Sequence, residues 1–587
     1  MAKPHLLPTM DARVGVDAKF EALAKLEMLQ EEVDAALARK KSNGFLRRGI
    51  KAWRRGDFAR AGQLALEATV ADEDNAKAYH VLGMALERLG HQHKALVTYQ
   101  RAFELDPDDP ELLINLGLIA WNMRQIDGAA KMFSLYIDAC PDSPLGYNNL
   151  GSVMCDLGRP DDAIETLRAA IFRMPGESIL WNALATVLAE EGRAEESLVF
   201  YNESVRLDPK FARLHHNLGF AYAHLGRLEH SLQAYDTALS HVTDPAERLE
   251  TEHSRAICLI GMGRLEEGFR AFETRNSPRF RAFINHMIKA PQWQGEDLTG
   301  KRIAIVGEQG LGDEFMFATV LPDIARAVGD KGLMQIAVDP RLVKLFQRSF
   351  PNAEVGTYDD RTLIDANGHK PLRFVKFVTD KQEPDYWVPM GSALQYLRKD
   401  LRDFPHETFI LPDEGRVRRF RETLKSKGPK NDNGPFVGIC WRSMMLGAKR
   451  AKYYSALSMW EPILTTPGVT FVNLQYGDAA DEIAFAREKF GVEIHQMDVD
   501  LRDDLDGAAA LSAAVDLVIS APTAAAANAA SVGTQTWFLT AGRTWPQLGT
   551  DEYPWYRKTK VYSPEQFGDW GSLIPRVSRD LAAFAKR

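Results

Sequence analysis

Three short stretches of this chain carry residue types whose spacing could do chemistry. The first is Gly307-Glu308-Gln309-Gly310-Leu311-Gly312-Asp313-Glu314, which directly follows an apolar run. Its glycines, Gly310 and Gly312 among them, allow a tight turn into a helix that presents backbone amides and a positive helix end. The spacing is G-x-x-G-x-G, which is not the dinucleotide fingerprint, and no G-K-[ST] follows to make a P-loop. Asp313, with Glu308 as second candidate, could take the proton of an acceptor hydroxyl. The alternative is that both acids only cap the helix. The second stretch is Trp441-Arg442-Ser443, followed by Lys449, Arg450 and Lys452. Arg442 comes directly after a predicted strand, where a cation could neutralise a departing phosphate; Lys452 is a weaker candidate for that role, and the alternative is a solvated basic loop. The third is Ser520-Ala521-Pro522-Thr523, leading into an alanine-rich helix. Here Thr523 could cap the helix or donate to a phosphate, while the alanines bring backbone close to an anion, pack the helix tightly on a sheet, or do both.

A different kind of group recurs upstream. Asn115, Asn149 and Asn217 occupy one repeat position, with Asn182 one place off it. A column of amides, each with a donor and an acceptor, could grip the backbone of an extended peptide. The competing reading is that N-L-G is simply common in such helices. Asp498-Val499-Asp500 has the form of a D-x-D metal motif but lies in an acidic run with Asp503, Asp504 and Asp506, and no metal site is expected.

These residues need elements to hold them. Tyr79, Leu82, Gly83, Ala95, Tyr99, Ala102 and Pro107 set a pattern that recurs after 34 residues as Leu113, Leu116, Gly117, Ala129, Phe133 and Pro141. It recurs again as Tyr147, Leu150, Gly151, Ala163, Ala170 and Pro175, then more loosely around Trp181 and Leu218. With weaker flanking copies, about seven repeats run from 42 to 276. Each repeat reads as two antiparallel helices: small residues permit close approach, large ones fill gaps, and proline ends the second helix. Residues 1–41 read as an N-terminal segment dominated by one amphipathic helix at 17–40, a cap or a dimer contact, and 277–300 as a linker. Strands alternating with helices then predict parallel sheets. A first Rossmann-like lobe spans 301–412, with strands at 301–307, 333–338 and 353–358. A second spans 413–562, with strands at 436–441, 469–475, 492–497, 516–521 and 535–541, and a helical segment closes the chain at 563–587. The fold class is thus an α-solenoid followed by a pair of α/β lobes, with ligands expected at the strand ends of the cleft.

Composition narrows the function. The net charge of −8 argues against a general nucleic-acid binder, which needs a basic face. No apolar run of about 18 residues predicts membrane insertion, and the N-terminal residues lack a signal-peptide pattern, so a cytoplasmic location is expected. Cys140, Cys155, Cys258 and Cys440 are scattered and read as reduced core residues.

The motifs resemble those of TPR-linked glycosyltransferases with the GT-B fold. G-E-Q-G-L-G-D at 307–313 and F-A-T-V-L-P at 317–322 are similar to the first-lobe signature of that group, D-L-V-I-S-A-P-T-A at 516–524 to its donor-phosphate segment, and P-W-Y at 554–556 to a tripeptide common there. The resemblance spans 42 to 562, and the asparagine column is similar to the TPR groove of the protein O-GlcNAc transferases. Domain order and length look most like the soluble bacterial flagellin glycosyltransferases. That resemblance implies that the TPR half recruits flagellin and that the catalytic half moves a nonulosonic acid of pseudaminic type from CMP to Ser or Thr hydroxyls. It also implies no cofactor beyond the sugar nucleotide, which is a substrate, and a closing helix at 572–586 that crosses back to the first lobe. One departure stands out: where the broader family has D-T-x-x-x-H, this chain has Pro522 and Ala527, with Asn528 next. That favours a CMP-linked over a UDP-linked donor. Alternatives are an O-GlcNAc-type transferase using a UDP-sugar, or a TPR chaperone or adaptor whose α/β half is no longer catalytic.

Overall fold

The computed structural model describes residues 12–586 except 366–367, 378–382, 406, 428–433 and 445–447. The chain divides into two compact units, Met1–Val153 with Ile364–His369, and Met154–Leu363 with Lys370–Arg587.

The first unit begins with helix Ala12–Arg54, followed by Phe58–Ala71 and the helical pairs Ala76–Arg88/Gln92–Leu105 and Pro110–Asn122/Ile126–Ala139. The predicted break between a cap helix and the first repeat does not occur. Nothing in Lys41-Ser42-Asn43-Gly44 stops a helix, and buried Ser42 fastens it to its neighbour by donating to the Ala68 carbonyl at 2.8 Å. The second unit continues with Ser178–Glu190/Ala194–Leu207, Ala212–His224/Leu228–His241 and Pro245–Gly261/Leu265–Phe272.

The repeat pattern has a direct steric cause. A Cβ placed on Gly83 would lie 2.6 Å from the Tyr99 ring, one on Gly117 2.4 Å from Phe133, and one on Gly219 2.7 Å from Tyr235. Each glycine is therefore the socket for the aromatic ring of the next helix, sixteen residues on, and the two positions must vary together. The turns inside the pairs obey a second rule. Gly56, Gly90, Gly158, Gly192 and Gly226 all have φ between 68° and 79°, and Arg124 stands in the same register at φ 63°. A side chain in this left-handed region costs about 1 kcal/mol relative to glycine. Arg124→Gly is therefore expected to raise stability by about 0.5–1 kcal/mol, read as a higher urea midpoint; an unchanged or lower midpoint would contradict the strain assignment.

The α/β region holds two sheets. The first contains β1 (Asn285–His286), β2 (Arg302–Val306), β3 (Leu333–Val338), β4 (Glu354–Asp365), β5 (Gly368–Lys376) and β6 (Tyr386–Pro389), in the order β1-β5-β4-β3-β2-β6. The second contains β7 (Phe436–Cys440), β8 (Thr470–Asn473), β9 (Ile494–His495), β10 (Leu517–Ser520), β11 (Thr536–Leu539) and β12 (Thr559–Tyr562), in the order β12-β11-β10-β7-β8-β9, with parallel pairing throughout. The apolar runs recognised in the sequence are inner strands of both sheets and the edge strand β9. The strands not foreseen, β1, β5, β6 and β12, lie at or beside the edges, where short and polar strands are the rule.

Two expectations need correction. Residues 277–300 are not a free linker: β1 pairs with β5, Gln292 bridges to Trp387, and Trp293 and Leu298 are buried. The closing helix, Trp570–Ala585, does not cross to the first lobe. Its apolar face, Trp570, Leu573, Ile574, Val577 and Leu581, packs with Ile439, Trp537 and Tyr562 of the second sheet. The lobes are joined instead by the alanine-rich helix Ala524–Ser531, whose Ala526, Ala527 and Ala530 share a core with Phe315 and Phe317 of the first lobe. That core also takes in Ile260 and Phe269 from the last TPR pair.

Candidate functional site

The glycine-rich loop leaves the end of β2 and enters helix Leu311–Phe317. It is tight because it is filled. A Cβ on Gly307 would meet the Glu314 carboxyl carbon at 2.7 Å, so only glycine fits over that side chain. Glu314 itself is buried, with its carboxylate accepting from the Asp339 amide at 3.1 Å and from the Tyr358 hydroxyl. Burial pushes its pKa up to about 8, with those two hydrogen bonds pulling the other way. On the far side, buried Arg373 makes a two-pronged pair with Asp360, both contacts at 2.7 Å, and lies over the Tyr358 ring at 3.6 Å. Its remaining donor reaches the carbonyls of Gly307 and Glu308 at 2.5 and 3.3 Å. The loop is thus held from both sides, and Asp313 is carried on a fixed turn.

Asp313 lines two cavities. One, of 310 Å³, is walled by the last TPR pair and the first lobe, with Arg275, Glu308, His286 and Arg373 among its polar residues. The other, of 580 Å³, opens between the two lobes and includes Gly310, Gly312, Arg450, Tyr454, Tyr476 and Thr523. Asp313 is the residue common to both linings. Its carboxyl pKa is pushed up to about 6, first by desolvation and then by the negative charge of Glu308, with Arg275 opposing. No hydrogen bond or ion pair holds this carboxylate among the described residues. Glu308 differs: its carboxylate is clamped by Arg275 at 3.2 Å and by the Gly391 amide at 2.7 Å. It sits in the cavity as a fixed charge rather than a free base. Gly310 caps the helix, and Gly312 lies against Ala524, a Cβ there standing 4.0 Å from its Cα.

The donor-side residues foreseen in the sequence divide. Thr523 lines the larger cavity and caps helix Ala524–Ser531, its side chain accepting from the Ala526 amide. Ser520 does not reach the cavity lining; it is fully buried and donates to the Ala521 carbonyl at 2.7 Å. Arg442 is also turned away from this role. Its guanidinium is spent on Glu482, with Nε 3.0 Å from both carboxylate oxygens, and on the Asp478 carbonyl at 2.8 Å. Lys452 donates to the Glu190 carbonyl and lines a separate 290 Å³ pocket beside the TPR helices. The cations that do line the larger cavity are Arg341, Arg450 and Arg502. Arg341 is paired with Asp339 at 2.9 Å, whereas Arg450 has no ion pair among the described residues. The Lys449 side chain lies outside the described residues.

The asparagine column is not a free ladder. Asn115 donates to His80 at 2.8 Å, and Asn149 accepts from Asn148 at 3.2 Å. Asn217 donates to Asn182 at 3.1 Å and to Thr186 at 3.3 Å. Two of these bonds, from Asn115 and Asn217, reach the preceding repeat, and the Asn149 bond stays within its own helix. The acidic run is likewise engaged. Asp500 caps the amides of Arg502 and Asp503, Asp504 caps helix Leu505–Ala514 and pairs with Arg416, and Asp506 pairs with Arg348 at 2.7 Å.

The tetratricopeptide repeat family matches residues 76–119, and a TPR repeat family matches 185–226, so the 34-residue repeats are TPR repeats. Protein FlbA of Caulobacter vibrioides is 40% identical over 574 residues, covering 97% of this chain and 94% of that protein. Among solved structures, a thermophilic TPR protein of Thermus thermophilus is 22% identical, covering 32% of this chain and 99% of that one, with a TM-score of 0.29. A tetratricopeptide repeat protein from Parabacteroides merdae is 14% identical, covering 40% of this chain and 91% of that one, with a TM-score of 0.36. No helix among the described residues is long and apolar enough to cross a membrane.

Proposed function

The chain belongs to the family of Caulobacter FlbA, and from that premise we propose that it is a GT-B-type protein O-glycosyltransferase that recruits flagellin through its TPR half. The observation that carries this reading is the shared lining: one unpaired carboxylate, Asp313, faces both a nucleotide-sized cavity and a second cavity on the TPR side. The donor, a CMP-linked nonulosonic acid, lies in the 580 Å³ cavity. Its base is set against Tyr454 or Tyr476, and its phosphate faces Thr523, the helix start and Arg450. The acceptor Ser or Thr enters from the 310 Å³ side. Its oxygen forms a bond to the anomeric carbon as the bond from that carbon to the phosphate oxygen breaks. The electron pair leaves with CMP and the proton passes to Asp313.

This assignment fixes a pH dependence. A carboxylate raised to about 6 accepts a proton only above that pH. The kcat/KM of transfer is therefore expected to fall on the acid side with an apparent pKa near 6. Glu308→Gln removes a charge that raises Asp313, so it should move this limb to lower pH. An unmoved limb would assign the titration elsewhere.

The reading is tested by isothermal titration of the full chain with CMP and UDP. Binding of CMP in preference to UDP supports it, and preference for UDP redirects it to an O-GlcNAc-type donor. Absence of binding to either leaves a TPR adaptor, a reading favoured by Pro522 and Ala527, which replace the acid and imidazole of related donor segments, Ala527 being packed into the interlobe core.

A further inference from the structure

A third cavity, of 320 Å³, lies beside the Asp313 pair, between the last TPR helices and the second lobe. Seven aromatic rings share its walls with smaller residues and Arg543. His224 meets Phe567 edge-on at 5.1 Å between centroids, Tyr453 meets the same Phe567 at 5.5 Å, and Phe220 packs on His224 at 4.2 Å. The arrangement is fixed by a hydrogen bond of 3.1 Å between His224 Nε2 and the Tyr453 hydroxyl. Phe220 is 42% exposed, so one edge of the cavity is open to a guest. Burial holds both imidazoles of this wall, His224 and His253, below the usual range, so the lining carries no histidine charge at neutral pH. The cavity is not isolated. His253, Ile257 and Trp545 line it and also line the 310 Å³ cavity that contains Asp313.

We propose that this cavity seats an apolar side chain, aromatic or branched aliphatic, of the acceptor polypeptide, so that the protein selects hydroxyls flanked by such a residue. The occupant is a polypeptide residue because the cavity continues through three shared residues into the one where the acceptor hydroxyl meets Asp313, the part of the inference that rests on the transferase reading. Two adjoining cavities of this size, spanned at about 3.3 Å per extended residue, put the apolar anchor roughly two to four residues from the modified hydroxyl. Selection then works by burying apolar area that water would otherwise cover, and a polar residue at that place gains nothing.

The test uses the full-length chain and fluorescein-labelled nine-residue peptides with a central Ser in a Gly/Asn/Ser background, one Phe being walked through the flanking positions. Binding is followed by anisotropy. Two variants, Ala223→Trp and Ser254→Phe, fill the cavity from different TPR helices without touching the Asp313 cavity. The expected result is a Kd at least 10-fold lower for Phe at one or two neighbouring positions, with that gain lost in both variants while CMP titration is unchanged. No gain at any position, a gain that survives in both variants, or equally tight binding of N-acetyl-phenylalanine amide would each overturn the proposal. A positional gain lost in the variants, together with no nucleotide binding by the unaltered chain, supports the seat and sinks the transferase reading instead.

Discussion

Asp313→Asn is expected to lower the rate of transfer about 10²–10⁴-fold while leaving flagellin capture and nucleotide affinity within about twofold. The amide has nearly the shape of the carboxylate and cannot take the acceptor's proton. Because Asp313 makes no ion pair or hydrogen bond among the described residues, the change removes no internal partner. The carboxylate is costly where it stands, raised to about 6 by burial and by Glu308, so the variant should be no less stable than the parent. In acid the folded state holds this proton more tightly than the unfolded chain, and that part of the stability is lost as pH rises from the ordinary carboxyl range through about 6. The asparagine variant should therefore show a flatter stability curve between pH 4 and 7. Transfer retained at the parental rate would remove Asp313 as the base.

Arg373→Met is the second large effect, and it acts through the loop that carries Asp313 as well as on the wall of the acceptor cavity. Arg373 is 2% exposed, and its guanidinium joins Asp360, the Tyr358 ring and the carbonyls of Gly307 and Glu308. Asp360 is about half exposed, so the released carboxylate is rescued by water and contributes little to the loss. The carbonyls of the glycine loop are not rescued in this way. Losing charge-assisted bonds to them, with the cavity left behind, costs about 2–4 kcal/mol. The expected readout is a lower unfolding temperature of the full chain by calorimetry together with a fall in kcat larger than any change in nucleotide affinity. Arg373→Lys, which keeps the charge but cannot span Asp360 and both carbonyls, should recover little. A variant as stable as the parent would show that the loop is held by Glu314 alone.

The repeats are legible in the sequence because their cause is local. The glycine socket and its aromatic ring lie sixteen residues apart, and the left-handed turn residue recurs every 34, so each rule is written several times in the chain. The central strands are legible as apolar runs for the same reason. Asp313 stands out as an acid at the helix start after a glycine-rich turn, but only the structure separates it from its neighbours, Glu308 held by Arg275 and Glu314 buried. What is not legible is which cations are engaged elsewhere, because their partners are distant in sequence. Arg442 stands at a strand end, but Glu482, forty residues on, takes its guanidinium. Lys452 is claimed by Glu190 in the TPR half. Arg275 and Trp545 approach Asp313 from the end of the repeats and from the second lobe, and nothing in their own neighbourhoods marks them. The asparagine column is legible as a repeat, but the neighbours its amides already bond, His80, Asn148 and Asn182, are not.

The most direct test of the account is the intact mass of flagellin after incubation with this protein and a CMP-linked nonulosonic acid. The account predicts mass increments of one or more sugar residues on flagellin with the unaltered chain and none with Asp313→Asn. A flagellin mass that is identical with and without the unaltered chain, while CMP is bound and flagellin is captured, would contradict it.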